Sequence, residues 1–260
     1  MRTFFIWKEN REKEGLKLEK KFVLITGASG AIGRATALEL ARAGYSLYLH
    51  YNSNEQAVKE LEEELQAYNH DIEIIPIRAD LATIEGVDFL CSNVFSLHSI
   101  VLTSGKAHYG LITDVSAEEM SAMIQLNLTS PFMIVQKLVS KLKMQSNASI
   151  VTVTSIWGDT GASCEVLYSM LKGGQNAFVK ALSKELAPMN IRVNAVSPGV
   201  VDTPMMTNFT KEDKQELSED IPLGRLGEPC EVASSIAFLL SQKASYITGH
   251  ILKVNGGWYV

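Results

Sequence analysis

Cysteine is scarce: Cys91, Cys164 and Cys230 are the only three, far apart and without a CxxC. That spacing excludes a disulfide framework, shows no zinc pattern and suits a reducing cytoplasm. The five histidines are equally scattered, so no metal site is expected. No stretch approaches the ~18 uninterrupted apolar residues that a membrane span needs. Positive charge is not in excess, since 24 Lys and Arg against 29 Asp and Glu leave a net charge of −5. Nucleic acid and anionic membrane are therefore not expected partners. Repeats and linkers are missing too, so 260 residues point to one α/β domain, burying roughly 70–75% of its unfolded surface.

The first residues stand apart. Thr3 to Trp7 is apolar but too short for a signal sequence, and it leads directly into charge. Lys8 to Lys21 mixes charges with little apolar content, so residues 1–17 are expected to be a mobile or loosely helical extension. The domain, residues 18–260, is expected to begin near Leu18.

What is present alternates strand and helix. Phe22 to Ile25 is an unbroken apolar run stopped by glycine, as in a strand buried on both faces. Thr26-Gly27-Ala28-Ser29-Gly30-Ala31-Ile32-Gly33 follows, then a helical pattern to Ala43 closed by Gly44. That order makes a phosphate cradle, because glycine lets the backbone approach a pyrophosphate and the helix start aims free N–H groups at it. Leu47 to Leu49 is the second strand, ending at His50. A carboxylate in the next loop would bind a ribose 2′-hydroxyl and repel a 2′-phosphate. His50-Tyr51-Asn52-Ser53-Asn54 has none, which favours NADP over NAD, although no Arg or Lys stands there either.

Glu55 to Tyr68 is a charged amphipathic helix and Ile72 to Ile77 a third strand. Asp80 beyond it can accept from an adenine amino group or cap the short helix that follows, within Thr83 to Asn93. Ser99 to Thr103 is the fourth strand, with Ser104 and Gly105 at its C-terminal end, where doubly wound sheets bind ligands. Ala117 to about Leu142 reads as one long helix holding Asn127, either a buried amide or a site residue. The fifth strand runs from Ile150 to Ser155, and beyond Gly158 and Gly161 comes Tyr168-Ser169-Met170-Leu171-Lys172. Tyr and Lys at that spacing share a helix face, and the ammonium is expected to lower the phenol's pKa from ~10 toward the range of proton transfer. Ser155 can hold a carbonyl oxygen against the phenol. Ile191 to Val196 is a sixth strand closed by Ser197-Pro198-Gly199, Val200 to Leu223 a polar substrate lid, Glu228 to Leu240 a helix and Ile251 to Val254 the last strand. The expected fold is a single Rossmann-type, doubly wound α/β domain of about seven parallel strands flanked by helices.

Thr26 to Gly33, Asp80, Asn127, Ser155, Tyr168, Lys172, Pro198-Gly199 with Thr203, and the closing Tyr246 to Gly249 and Val254 to Gly257 together resemble the classical short-chain dehydrogenase/reductases over residues 18–260. The resemblance implies NADPH-dependent reduction of a carbonyl. Tyr168 would be the general acid, Lys172 would lower its pKa and bind the nicotinamide ribose, Ser155 would orient the carbonyl, and Asn127 would support a water relay to Lys172. NADP, or alternatively NAD, would lie on Gly27, Ser29, Gly30, Ile32, Gly33, His50, Tyr51, Asn52, Asp80, Leu81, Ser104, Gly105, Pro198, Gly199, Val201 and Thr203, besides Tyr168 and Lys172. Assembly as a homotetramer or dimer is implied by the same likeness.

Within the family the chain is similar to the bacterial 3-oxoacyl-(acyl-carrier-protein) reductases, which implies a small-molecule, carrier-bound or protein-bound ketone as substrate. There are departures. Ala31 replaces the middle glycine of the turn, Gly30 stands where NADP-dependent members often carry Arg, and Leu102-Thr103-Ser104-Gly105 replaces the usual Asn-Asn-Ala-Gly. The places before the fifth and sixth strands, where basic residues would receive an acidic carrier, read Gln145 to Ser149 and Pro188 to Asn190, so electrostatic attraction for such a carrier is expected to be weak. Glu165 lies near the expected pocket mouth, where it can pair with a substrate ammonium or be a helix-terminal surface carboxylate. Trp157 to Glu165, with Ser104-Gly105 and His108 to Leu111, is similar to a branch described as elongation factor P 5-aminopentanone reductases, which act on an amine-bearing ketone on a protein lysine. The reading from a different class is a non-catalytic NADP-binding sensor or scaffold.

Overall fold

A computed structural model of the chain describes residues 20–68, 70–206 and 209–260. The expected domain start near Leu18 and the expected extension 1–17 lie outside those residues. Seven strands, β1 (Phe22–Thr26), β2 (Ser46–Tyr51), β3 (Ile74–Arg78), β4 (Ser99–Leu102), β5 (Ser149–Val153), β6 (Arg192–Pro198) and β7 (Ile251–Val254), form one sheet in the order β3-β2-β1-β4-β5-β6-β7. Every pairing is parallel. Chain order reverses between β1 and β4, which opens a crevice at the C-terminal ends of those strands.

The strands read as continuous apolar runs because both faces are covered. Leu24, Ile100, Ile150 and Val193 point to one core, packed by α3 (Ile84–Ser92), α5 (Ser130–Leu142) and α7 (Val166–Leu186). Their neighbours Val23, Ile25, Val101, Val151 and Val196 point to the other, packed by α1 (Ala31–Arg42), α2 (Glu55–Tyr68) and α9 (Pro229–Leu240). The alternation has the period of two expected of a pleated strand. Pro76, which donates no hydrogen bond, sits in the edge strand β3, where its missing N–H is tolerated. Among the described residues no helix is long and apolar enough to cross a membrane.

The expected long helix from Ala117 is divided. α4 (Ala117–Ile124) passes into a π-turn at Gln125–Thr129 before α5 begins. The cause is Pro131, one helical turn beyond Asn127: proline has no N–H to give the Asn127 carbonyl, and its ring crowds that carbonyl. Two other boundaries also differ. The strand expected to reach Ser155 ends at Val153, and the cap of α3 is Thr83, whose Oγ1 accepts from Gly86 N at 3.0 Å, not Asp80. Within the expected lid, α8 (Lys211–Asp220) has no buried residue, while its base is pinned where Val201 bridges Gly227.

Candidate active site

The turn after β1 is held from below. Gly27, at φ +71°, donates its N–H to His50 Nδ1 at 3.0 Å, and Ala28 N donates to His50 O at 2.8 Å. A Cβ at Gly33 would stand 2.2 Å from Gly27 O, so only glycine lets α1 start this close to the turn. Gly30 caps α1 without a side chain, so the first N–H groups of the helix, on Ala31, Ile32 and Gly33, receive no acceptor from the cap and suit an anion. Across the crevice Ser104 Oγ is buried with no partner, 3.0 Å from where a Gly27 Cβ would be. An orphaned hydroxyl beside a glycine cradle at the switch point fits a dinucleotide.

The other expected cofactor residues divide. Asn52 and Asp80 are exposed at the same edge and meet, Asn52 Nδ2 donating to Asp80 Oδ1 at 3.4 Å. Pro198 closes β6, and Gly199, Val201 and Thr203 continue from it along the same edge. Leu81 and Tyr51 bury their side chains in the two cores. His50 is 3% exposed, and both ring nitrogens are used, Nδ1 by Gly27 N–H and Nε2 by Ala79 O at 3.0 Å. It supports the turn and has no nitrogen left for a ligand.

Burial holds the His50 pKa down to about 4, and that of His98 likewise. In both rings the first cause is the loss of water around the charged form. Because the folded pKa lies below the unfolded value of 6.5, the unfolded chain takes up more protons below pH 6.5, and stability falls as pH drops from 6.5 toward 4. The expected loss is roughly 3 kcal/mol per ring, read as a falling melting temperature. In His50→Gln, which cannot protonate there, about half of that acid loss should vanish; an unchanged acid profile would contradict the assignment.

The reactive groups gather at the neighbouring strand ends. β5 stops at Val153, and Ser155, 8% exposed, lies in the bend before α6 (Trp157–Thr160), its Oγ accepting from Trp157 N at 3.2 Å. Its hydroxyl also hydrogen-bonds the Tyr168 phenol. Lys172, one turn along α7 and 4% exposed, donates from Nζ to Val153 O at 2.9 Å and to Gln175 Oε1 at 3.0 Å, and Nζ lies 5.4 Å from the Tyr168 ring centroid. Burial pushes the Lys172 pKa down to about 8. The phenol is not lowered as expected: burial and then the Glu165 charge push it above its ordinary value, with Ser155 opposing them. At neutral pH Tyr168 is therefore a protonated donor. Asn127, fully buried in the π-turn, donates from Nδ2 to Met123 O at 3.0 Å, while its Oδ1 has no partner. A Cβ at Gly105 would stand 3.1 Å from that Oδ1 and 3.7 Å from Lys172 Nζ, so the end of β4 closes onto both.

Glu165 occupies the N-cap position of α7 but makes no cap hydrogen bond. Its half-buried carboxylate accepts from the Trp157 side chain instead, and burial raises its pKa. Trp157 in turn packs edge-on against Trp258 and Tyr259, with ring centroids at 5.4 and 5.6 Å. A carboxylate bonded to one ring of an aromatic cluster suits a cation. Trp258 and Tyr259 were not expected here; the only local sign was an aromatic pair directly after Asn255-Gly256-Gly257. Arg78 was also missed. It pairs in register with Tyr51 and donates from Nε to Asn52 O at 3.1 Å, so β3 brings to the His50–Asn54 loop the basic group that the loop itself lacks.

The segments expected to attract an acidic carrier only weakly, Gln145 to Ser149 and Pro188 to Asn190, lead into β5 and β6. In a parallel sheet those starts lie at the edge opposite the crevice, roughly 16 Å from it for a five-residue strand.

A family model described as enoyl-(acyl carrier protein) reductase matches residues 27–259. The chain is 53% identical over 241 residues to YmfI of Bacillus subtilis (strain 168), described as an uncharacterized oxidoreductase, covering 92% of this chain and 99% of that protein. It is 37% identical over 248 residues to the 3-oxoacyl-(acyl-carrier-protein) reductase FabG of Aquifex aeolicus (strain VF5), covering 94% and 99%. Among solved structures, the angucycline C-6 ketoreductase LanV with bound NADP superposes with a TM-score of 0.85 at 29% identity, covering 92% of this chain and 95% of that one.

Proposed function

The chain belongs to the short-chain dehydrogenase/reductase family, and from that premise we propose that it is an NADPH-dependent ketone reductase with Tyr168 as general acid. The observation that carries the proposal is the convergence of Ser155, Tyr168, Lys172 and Asn127 at the C-terminal ends of β4 and β5, next to the switch point of the sheet. NADPH would lie on the turn after β1, with the N–H groups of Ile32 and Gly33 toward its pyrophosphate, and would supply the hydride. Ser155 Oγ holds the substrate carbonyl oxygen, and the Tyr168 hydroxyl, protonated at neutral pH, gives that oxygen its proton. The Lys172 ammonium stands beside the phenol and stabilises the phenolate that remains. Ordered water at Asn127 and Lys172 would return the proton.

Arg78 supports the choice of NADPH. Its guanidinium keeps N–H groups beyond the one used on Asn52, in the planar arrangement that suits a phosphate. Arg78→Ala is expected to weaken NADPH binding about tenfold or more and to leave NADH nearly unchanged, measured by cofactor fluorescence. An equal change for both cofactors would remove Arg78 from the proposal.

For the substrate, the likeness to a 3-oxoacyl reductase favours a carrier-bound 3-oxoacyl group. A second reading, a ketone bearing an ammonium such as one carried on a protein lysine, is favoured by Glu165, whose charge acts on Tyr168, and by the aromatic cluster of Trp157, Trp258 and Tyr259 that Glu165 meets through Trp157. Both readings place the same reaction on the same residues.

A further inference from the structure

We propose that Gln175 is a positioning residue, its side-chain amide tying the Lys172 ammonium to the opened turn at Asn127 and so fixing where that ammonium stands. The inference rests on the reductase reading only for its consequence, since the geometry is independent of the substrate. Gln175 is 2% exposed and lies one turn beyond Lys172 on α7. Its Oε1 accepts from Lys172 Nζ at 3.0 Å, and its Nε2 donates to Asn127 O at 2.7 Å. The orientation of the amide follows from chemistry: an ammonium can only donate and a carbonyl can only accept.

Pro131 cannot bond that carbonyl. In a regular helix the N–H of residue 131 would bond Asn127 O, but proline has none, and the π-turn turns the carbonyl toward α7. Pro131, Asn127, Gln175 and Lys172 thus form one chain of dependence from backbone to ammonium. Two of the three ammonium hydrogens are fixed, by Val153 O and Gln175, which leaves the third for the crevice beside Gly105.

No carboxylate competes for this ammonium among the described residues around it. α7 brings Tyr168 and, beyond it, Glu165; α6 brings Asp159, whose Oδ1 is taken by Asn176 Nδ2 at 2.9 Å. β5, the π-turn and the turn Thr103 to Gly105 carry no titratable side chain. The amide oxygen of Gln175 is therefore the side-chain acceptor that decides how readily Lys172 keeps its proton.

Two near-isosteric variants separate positioning from simple packing. Gln175→Met removes the acceptor and should lower the Lys172 titration by about one pH unit, whereas Gln175→Glu places a charge on the same bond and should raise it by about one unit or more. The titration is followed by 13C NMR of lysine-labelled protein without cofactor, with the Lys172 signal identified by its loss in Lys172→Met. The alkaline limb of turnover should move in the same two directions. Unmoved titration in both variants, or movement in the same direction, would overturn the proposal. If Gln175→Met does not fold, Gln175→Glu decides alone, a raised titration supporting the proposal and an unmoved one overturning it. A wild-type protein that reduces no ketone would count against the reductase reading, while the NMR titration would still test Gln175.

Discussion

Replacing Tyr168 with Phe is expected to cut ketone turnover by at least ~10²-fold while NADPH still binds, the scale on which a positioned general acid contributes. Phe keeps the ring that packs 5.4 Å from Lys172 Nζ and removes only the hydroxyl that Ser155 bonds. Lys172 retains both of its acceptors, Val153 O and Gln175 Oε1, so the variant should fold and hold cofactor. The acid role also accords with the electrostatics. Burial and the Glu165 charge keep the phenol protonated well above neutral pH, and a proton donor must begin the reaction in that state. Turnover and cofactor affinity, measured on the same preparation, check the prediction; a fully active variant would end the mechanism.

Glu165→Gln is expected to lower kcat/KM for an amine-bearing ketone about tenfold or more and to leave a neutral ketone nearly unchanged. Tenfold corresponds to ~1.4 kcal/mol, a modest figure chosen because the carboxylate is only half-buried and water screens it. Gln keeps an oxygen for the Trp157 side chain, so the aromatic cluster should remain in place. What disappears is the charge. Since burial raises the Glu165 pKa, preference for the amine should also fade earlier on acidification than an ordinary carboxylate would predict. Equal effects on charged and neutral substrates would demote Glu165 to a helix-terminal carboxylate.

What was legible in the sequence was what is written locally. The bounds of α2 and β7 agree with the pattern of the residues themselves, and the parallel seven-strand sheet follows from strand and helix in alternation. The Tyr168 and Lys172 spacing needs only one helix turn to bring the pair together. Features that depend on distant residues were not legible. Pro131 was the local sign that the helix at Asn127 would open, yet the partner that takes the Asn127 carbonyl, Gln175, comes from another helix. His50 sits where a cofactor ligand was expected, but β1 and β3 claim both of its nitrogens through Gly27 and Ala79. Arg78 reaches the cofactor loop only because β3 lies beside β2. Trp258 and Tyr259 meet Trp157 because the end of β7 and the end of β5 share the same edge of the sheet.

The most direct test is NADPH consumption by the wild-type protein and Tyr168→Phe side by side, on a 3-oxoacyl thioester of carrier protein and on a small ketone bearing a primary amine. Wild type should oxidise NADPH with at least one of them, forming one alcohol per cofactor, and Tyr168→Phe should fall at least ~10²-fold below it. Preference for the amine-bearing ketone would place Glu165 and its aromatic neighbours at the substrate, and preference for the thioester would remove them from it. Wild-type protein that binds NADPH but consumes none with either ketone would contradict the account and favour a non-catalytic cofactor-binding role.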